Sequence, residues 1–146
     1  MKLRFALLAV AALVLSTGGL ATDRDTEPQI VSIVQLLSTP SDYDGKPIVV
    51  FGFLTIGQEN NNLYLGKTDY DNELLANSLW VEPSRDMLKN SSGLDKKYVR
   101  IVGTFHRGHV GRERISVGGV SEIKECKFWS DPDHPFSERL KNLEGR

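Results

Sequence analysis

The sequence predicts an all-β fold with short helices: five strands closed into a small Greek-key barrel, preceded by a short N-terminal helix. Two observations carry that reading. The runs Lys46–Ile56 and Lys97–His106 are rich in Val, Ile and Phe, and each holds a glycine late in the run, Gly52 and Gly103. A glycine inside a strand weakens it, so the usual reason for one is a bulge or a bend. Two long strands bent at equivalent points are what a small closed barrel requires. The two segments also echo one another at an offset of 51 residues. Asp44 matches Asp95, Lys46 matches Lys97, Ile48 matches Val99, Val50 matches Ile101 and Gly52 matches Gly103. Two copies separated by unlike sequence are too few for a solenoid.

The elements follow in order. Met1–Ala21 hold 15 apolar residues, Lys2 and Arg4, and no acid. A short positive start, the apolar run Phe5–Leu15 and small residues ending in Gly19-Leu20-Ala21 are the layout of a secretory signal peptide, with cleavage expected after Ala21. Eleven apolar residues at helical rise span about 16 Å, roughly half a hydrocarbon core, so a retained anchor is the poorer reading. Residues 22–30 are expected as a leader. A domain is expected over residues 31–128, and residues 129–146 as a C-terminal tail with a short helix at Phe136–Leu143.

Within the domain, Ser32 followed three residues later by Gln35 makes a capping box for a helix over Ile33–Leu37, and Pro40 stops it. Thr26 with Gln29 offers an alternative start. After Ser41–Gly45, strand one carries Ile48, Val50 and Leu54 on one face and Val49, Phe51 and Phe53 on the other, so it should be covered on both sides. Leu63–Leu65 is strand two, Thr68–Asn77 an acidic excursion, and Ser78–Val81 strand three. Pro83–Lys89 reads as a helical turn broken by Asn90–Gly93. Lys97–His106 is strand four. Arg114–Val117 begins strand five, which kinks at Gly118-Gly119 and continues to about Cys126.

Five strands, with long first and fourth members and a helical turn between the third and fourth, describe the OB-fold. The stretches Val31–Leu37, Tyr43–Lys46 running into Val50–Leu54, Leu63–Leu65, Leu79–Val81 and Tyr98–Phe105 resemble those of small exported bacterial proteins, mostly uncharacterised, with an OB-like barrel. The resemblance covers about Val31 to Cys126. It implies a binding scaffold in the periplasm or outside the cell and supplies no catalytic motif.

Removing the signal segment leaves 16 Lys and Arg against 19 Asp and Glu, a formal charge of −3. That disfavours nucleic acid or anionic lipid as a partner. OB barrels bind on the face of strands two and three and at the loops after strands one and four. That face offers Tyr64 and Trp80. The first loop is asparagine-rich, and the second holds Arg107, His109, Arg112 and Arg114, the densest basic segment in the chain. Two readings stand side by side: a stacking and anion-contacting site, or rings packed under the Thr68–Asn77 excursion beside a solvated loop.

Metal chemistry gains little. His106 and His109 straddle a strand end with His134 and Cys126 elsewhere, and Asp69-x-Asp71-x-Glu73 lacks the glycine and terminal glutamate of a calcium loop. There is no Gly-x-Ser-x-Gly, no HExxH and no phosphate-cradling loop. The expectation is therefore a non-catalytic, cofactor-free binding module, recognising a protein or peptide partner in the cell envelope, with no membrane span after cleavage. Oligosaccharide or single-stranded nucleic-acid binding is the second reading, and a metal-dependent enzyme the third. Cys126, the lone cysteine, reads as a small residue near a strand end that forms no internal disulfide.

Overall fold

The computed structural model describes residues 27–57, 60–108 and 116–134. The expected signal peptide, residues 1–21, and the tail helix Phe136–Leu143 lie outside the described residues. In chain order the elements are β1 (Gln29–Ile30), α1 (Ile33–Ser38), β2 (Pro47–Thr55), β3 (Asn62–Tyr64), α2 (Lys67–Asp71), β4 (Ser78–Val81), α3 (Arg85–Lys89), α4 (Ser91–Leu94), β5 (Lys97–Arg107) and β6 (Gly118–Ser130).

The strands pair in the order β2-β3-β4-β6-β5, and β5 returns to β2, closing a five-stranded barrel. All of these pairs are antiparallel except β4–β6, which is parallel, with Trp80 opposite Gly119 and Val81 opposite Val120. The fold is thus all-β with short helices, as the sequence predicts, and its topology is OB-like. β1 adds a parallel pair to β2, Gln29 opposite Ile48 and Ile30 opposite Val49, so the last two residues of the expected leader join the sheet.

Alternation decides what fills the barrel. Ile48, Val50 and Leu54 from β2, Leu63 from β3, Leu79 and Val81 from β4, Val99, Ile101 and Phe105 from β5, and Val120 from β6 are all buried in one cluster. Ile33 and Leu36 of α1 join it, and so do Met87 of α3 and Leu94 of α4. Ser32 caps α1 with the full box: the Gln35 amide donates to its hydroxyl at 3.2 Å, and the Ser32 amide donates to Gln35 Oε1 at 3.0 Å. This excludes the Thr26 start, because Gln29–Ile30 is already strand.

The 51-residue echo is a local pseudo-twofold between β2 and β5. The Arg107 amide donates to Asp44 Oδ1 at 3.0 Å, and the Ile56 amide donates to Asp95 Oδ1 at 2.9 Å. The Gly45 amide meets the Phe105 carbonyl and the Lys96 amide meets the Leu54 carbonyl, both at 2.8 Å. Each pair maps onto the other by the same offset, so each strand's leading aspartate clamps the far end of its partner. The two glycines lie where neighbouring strands cross. A Cβ on Gly52 would stand 2.7 Å from the Tyr64 carbonyl oxygen, and one on Gly103 would stand 2.8 Å from that of Ser121.

Three expectations need correction. Strand five is expected to start at Arg114, which lies outside the described residues, and to kink at Gly118-Gly119; among the described residues, Ser116 and Val117 are not strand and β6 runs from Gly118 to Ser130, past the expected domain end at 128. The glycine at 118 instead admits a close crossing, since a Cβ there would meet the His106 carbonyl oxygen and the Phe105 ring at 2.6 Å. The bend falls at Glu122, whose φ is +49°, within a register shift between the pairs Thr104–Ser121 and Val102–Glu125. The expected break after the helical turn is present at Asn90, where α3 ends, but it does not extend to Gly93: Ser91–Leu94 forms α4, with Leu94 buried in the barrel core. The acidic excursion, to which the sequence assigns no regular element, folds into α2 and a 3₁₀ turn at Leu75–Asn77.

Candidate functional site

The face expected to bind is the outer face of β3 and β4. Cross-strand register puts Phe53, Tyr64 and Ser78 in one row and Thr55, Asn62 and Trp80 in the next row on the same face, with the inward row Leu54, Leu63 and Leu79 between them. Tyr64 and Trp80 therefore share that face, one row apart, as the alternation in the sequence implies. Gly119 lies between Trp80 and His106 in register and is itself buried. Trp80 is half-buried.

Tyr64 is not an open stacking platform. It is 2% exposed, because α2 folds over it. The Tyr70 ring meets Tyr64 edge-on, with centroids 5.6 Å apart, and lies 5.5 Å from Phe53, which in turn meets Tyr98 at 5.5 Å. The Tyr98 hydroxyl accepts the Lys67 amide at 3.0 Å, tying the start of α2 to β5. Four aromatic rings outside the barrel thus form a second, smaller cluster that holds the excursion in place; such edge-on pairs add about 0.5–1.5 kcal/mol each beyond burial. Of the two readings of Tyr64, packing under the excursion is the observed one.

What remains open on this face is a cleft of about 440 Å³ lined by Asn60, Tyr64, Tyr70, Asp71, Glu73 and Leu75. Its carboxylates come from the segment weighed as a calcium loop, whose acids are arranged differently from a cation cage. Asp69 accepts from Asn77 Nδ2 at 2.6 Å, and Asp71 pairs with Lys67 at 2.7 Å. Hydrogen bonding to Asp71 raises the Lys67 ammonium above its usual range. Among the described residues no group of three or more His, Cys, Asp or Glu is placed to hold a metal ion. Sequence reasoning missed Tyr70, Asp71, Glu73 and Leu75 as lining residues. The available signal was a tyrosine at the centre of an acidic segment joining the two strands of the expected binding face.

Arg107 is exposed, but its side chain is turned to Asp44, with Nε 3.1 Å from Oδ2. His109, Arg112 and Arg114 lie outside the described residues. A second groove, of about 350 Å³, runs between α3, α4 and β6, with Met87, Leu94, Ile123 and Cys126 in its lining. Burial pushes the Cys126 thiol up to about 12, and the neighbouring Glu125 carboxylate acts in the same direction. A thiol held neutral in this way is a poor nucleophile.

No protein-family model matches the chain, and no curated protein matches it.

Proposed function

We propose that the protein is an exported, non-catalytic binding module that recognises a protein or peptide partner in the bacterial cell envelope, through the outer face of β3 and β4 and the loop after β5. The observation that carries this reading is the cleft beside Tyr64. Side chains fill the barrel interior, so a ligand must be met from outside, and the cleft opens on the face through which OB barrels usually act. Export is supported by the charged start, apolar run and small-residue end of Met1–Ala21, and by the resemblance of Val31–Cys126 to small exported bacterial proteins. Among the described residues no helix is long and apolar enough to cross a membrane.

The test is capture of partners from an envelope fraction by the wild type, by Tyr70→Ala, which unroofs the cleft, and by an Arg107/Arg112/Arg114→Ala triple variant. Circular dichroism verifies that each is folded. The expected result is loss of the same partner in Tyr70→Ala. Equal recovery by all three proteins would sink the reading. Oligosaccharide or single-stranded nucleic acid is a weaker fit, because stacking needs an open ring and Tyr64 is covered, while Asp71 and Glu73 repel phosphate. Absence of Trp80 fluorescence quenching on titration with either would remove that alternative.

A further inference from the structure

We propose that the cleft between Asn60 and Leu75 receives a lysine or arginine side chain from a basic segment of the partner; this rests on reading the outer face of β3 and β4 as the binding face. Three features of the cleft point to a cation. The first is its ionisable lining: among the described residues it holds Asp71 and Glu73 and no lysine, arginine or histidine. Lys67 offsets part of the Asp71 charge from outside the lining, whereas the Glu73 carboxylate has no ion pair among the described residues.

The second feature is Tyr64. The residue is 2% exposed, and its hydroxyl makes no hydrogen bond to another described residue. Among the described residues no fully buried side-chain oxygen lacks a partner. Tyr64 lines the cleft, and its phenol oxygen, which is not fully buried, can accept from an incoming N–H.

The third feature is the Tyr70 ring, which already attracts a cation: the Lys96 ammonium lies 5.8 Å from its centroid. The Tyr70 ring also lines the cleft, and its attraction for an incoming cation is set against repulsion by Lys96. Carboxylate, phenol oxygen and aromatic ring together suit an ammonium or guanidinium group, whose N–H donors need acceptors and whose charge needs a counter-charge. An acidic peptide meets repulsion here. A neutral one leaves Glu73 without a counter-ion.

Titration calorimetry and amide chemical-shift mapping on the purified chain test this, using a synthetic Gly-Arg-Gly-Arg-Gly peptide and its Gly-Glu-Gly-Glu-Gly counterpart. The arginine peptide is expected to bind and to shift the Tyr64, Tyr70 and Glu73 resonances. Its affinity is expected to drop about tenfold in Glu73→Gln and several-fold in Tyr64→Phe, which keeps the ring and removes only the oxygen. Equal binding of the two peptides, or undiminished binding by Glu73→Gln, would overturn the assignment. If Tyr70→Ala loses the envelope partner while the arginine peptide leaves the wild type unmoved, the binding face stands and its cation chemistry falls. If envelope capture is unaffected by Tyr70→Ala, the reading of the face itself falls.

Discussion

Replacing Gly52 by alanine should damage the barrel far more than the same change five residues later. The new Cβ would stand 2.7 Å from the Tyr64 carbonyl oxygen and 2.8 Å from both Ile33 Cδ1 and Leu63 Cγ. Ordinary carbon contacts lie near 3.5–4.0 Å, so each neighbour must retreat by roughly 0.7–1.2 Å. Ile33 can turn its terminal methyl aside. The Tyr64 carbonyl cannot move without disturbing the pairing of β3 with β2. Overpacking of this kind costs about 1–3 kcal/mol, against which the stiffer unfolded chain returns about 0.4–1 kcal/mol. The net is a loss of about 1–2 kcal/mol, or roughly 5–15 °C in Tm for a domain near 100 residues. At Gly57 the nearest atoms to a Cβ are 3.7 and 4.0 Å away, both in the Asn60 backbone, so Gly57→Ala should stay within about 0.5 kcal/mol of wild type. Thermal unfolding followed by circular dichroism compares the two. The pseudo-twofold extends the expectation to Gly103→Ala, which should lose as much as Gly52→Ala. A Gly52→Ala protein that melts with the wild type, or a Gly57→Ala protein that melts as low as Gly52→Ala, would refute the close-crossing argument.

Other outcomes follow from the same geometry. A Cys126 thiol at about 12 instead of 9.0 has roughly a thousandfold less thiolate at pH 8, so iodoacetamide should label the native chain about three orders of magnitude more slowly than the urea-unfolded one; a ratio below ten would contradict its burial. The same raised thiol contributes stability that is complete below pH 9 and is lost as the pH climbs towards 12. The hydrogen bond from Lys97, helped by the Asp133 amide, holds the Asp131 carboxyl below its usual range, and Lys127, followed by Arg100, does the same for Glu125. Depressed carboxylates stabilise above their unfolded values, near pH 4, and that contribution disappears as the pH falls through the lower folded ones; urea midpoints measured from pH 6 to pH 3 should fall less steeply in Asp131→Asn. Ser32→Ala removes the hydroxyl that caps α1 and should cost about 1 kcal/mol in urea unfolding, whereas Ser38→Ala, which loses only an exposed hydroxyl contact to the Gln35 carbonyl, should stay within about 0.5 kcal/mol of wild type.

Much of the fold was legible because it rests on local pattern. Alternation of Ile48, Val50 and Leu54 against Val49, Phe51 and Phe53, the Ser32–Gln35 box and the two late glycines each carry their structural reason in the sequence. The start of β6 was not legible: a Gly-Gly pair signals a bend and a close crossing equally well, and only the proximity of Phe105 tells them apart. The bend itself sits at Glu122, where no residue type announces a positive φ. On the candidate face, Tyr64 and Trp80 were placed correctly by strand alternation. The covering of Tyr64 depends on Tyr70 returning across β3, a tertiary event that neither residue's neighbours encode. For Arg107, the sequence displayed a charge among charges and gave no hint of Asp44, 63 positions earlier.

That last contact bears on how the arginine loop should be tested. Arg107 meets Asp44 twice, through its amide and through its guanidinium, so its removal looks as though it would loosen the barrel as well as the loop. The pseudo-twofold answers the point. At the equivalent place, the partner of Asp95 is Ile56, which makes the clamp with its amide alone at 2.9 Å and has no charge to offer. The clamp is a backbone device, and the guanidinium is additional to it. With the Arg107 side chain 59% exposed, its ion pair with Asp44 contributes little to stability. Arg107→Ala should therefore unfold within about 0.5 kcal/mol of wild type in urea, whereas Asp44→Ala, which removes the acceptor of the amide, should lose about 1 kcal/mol or more. If Arg107→Ala proves the more destabilising of the two, the guanidinium is part of the barrel's closure, and partner loss in the triple variant cannot be assigned to recognition by the loop.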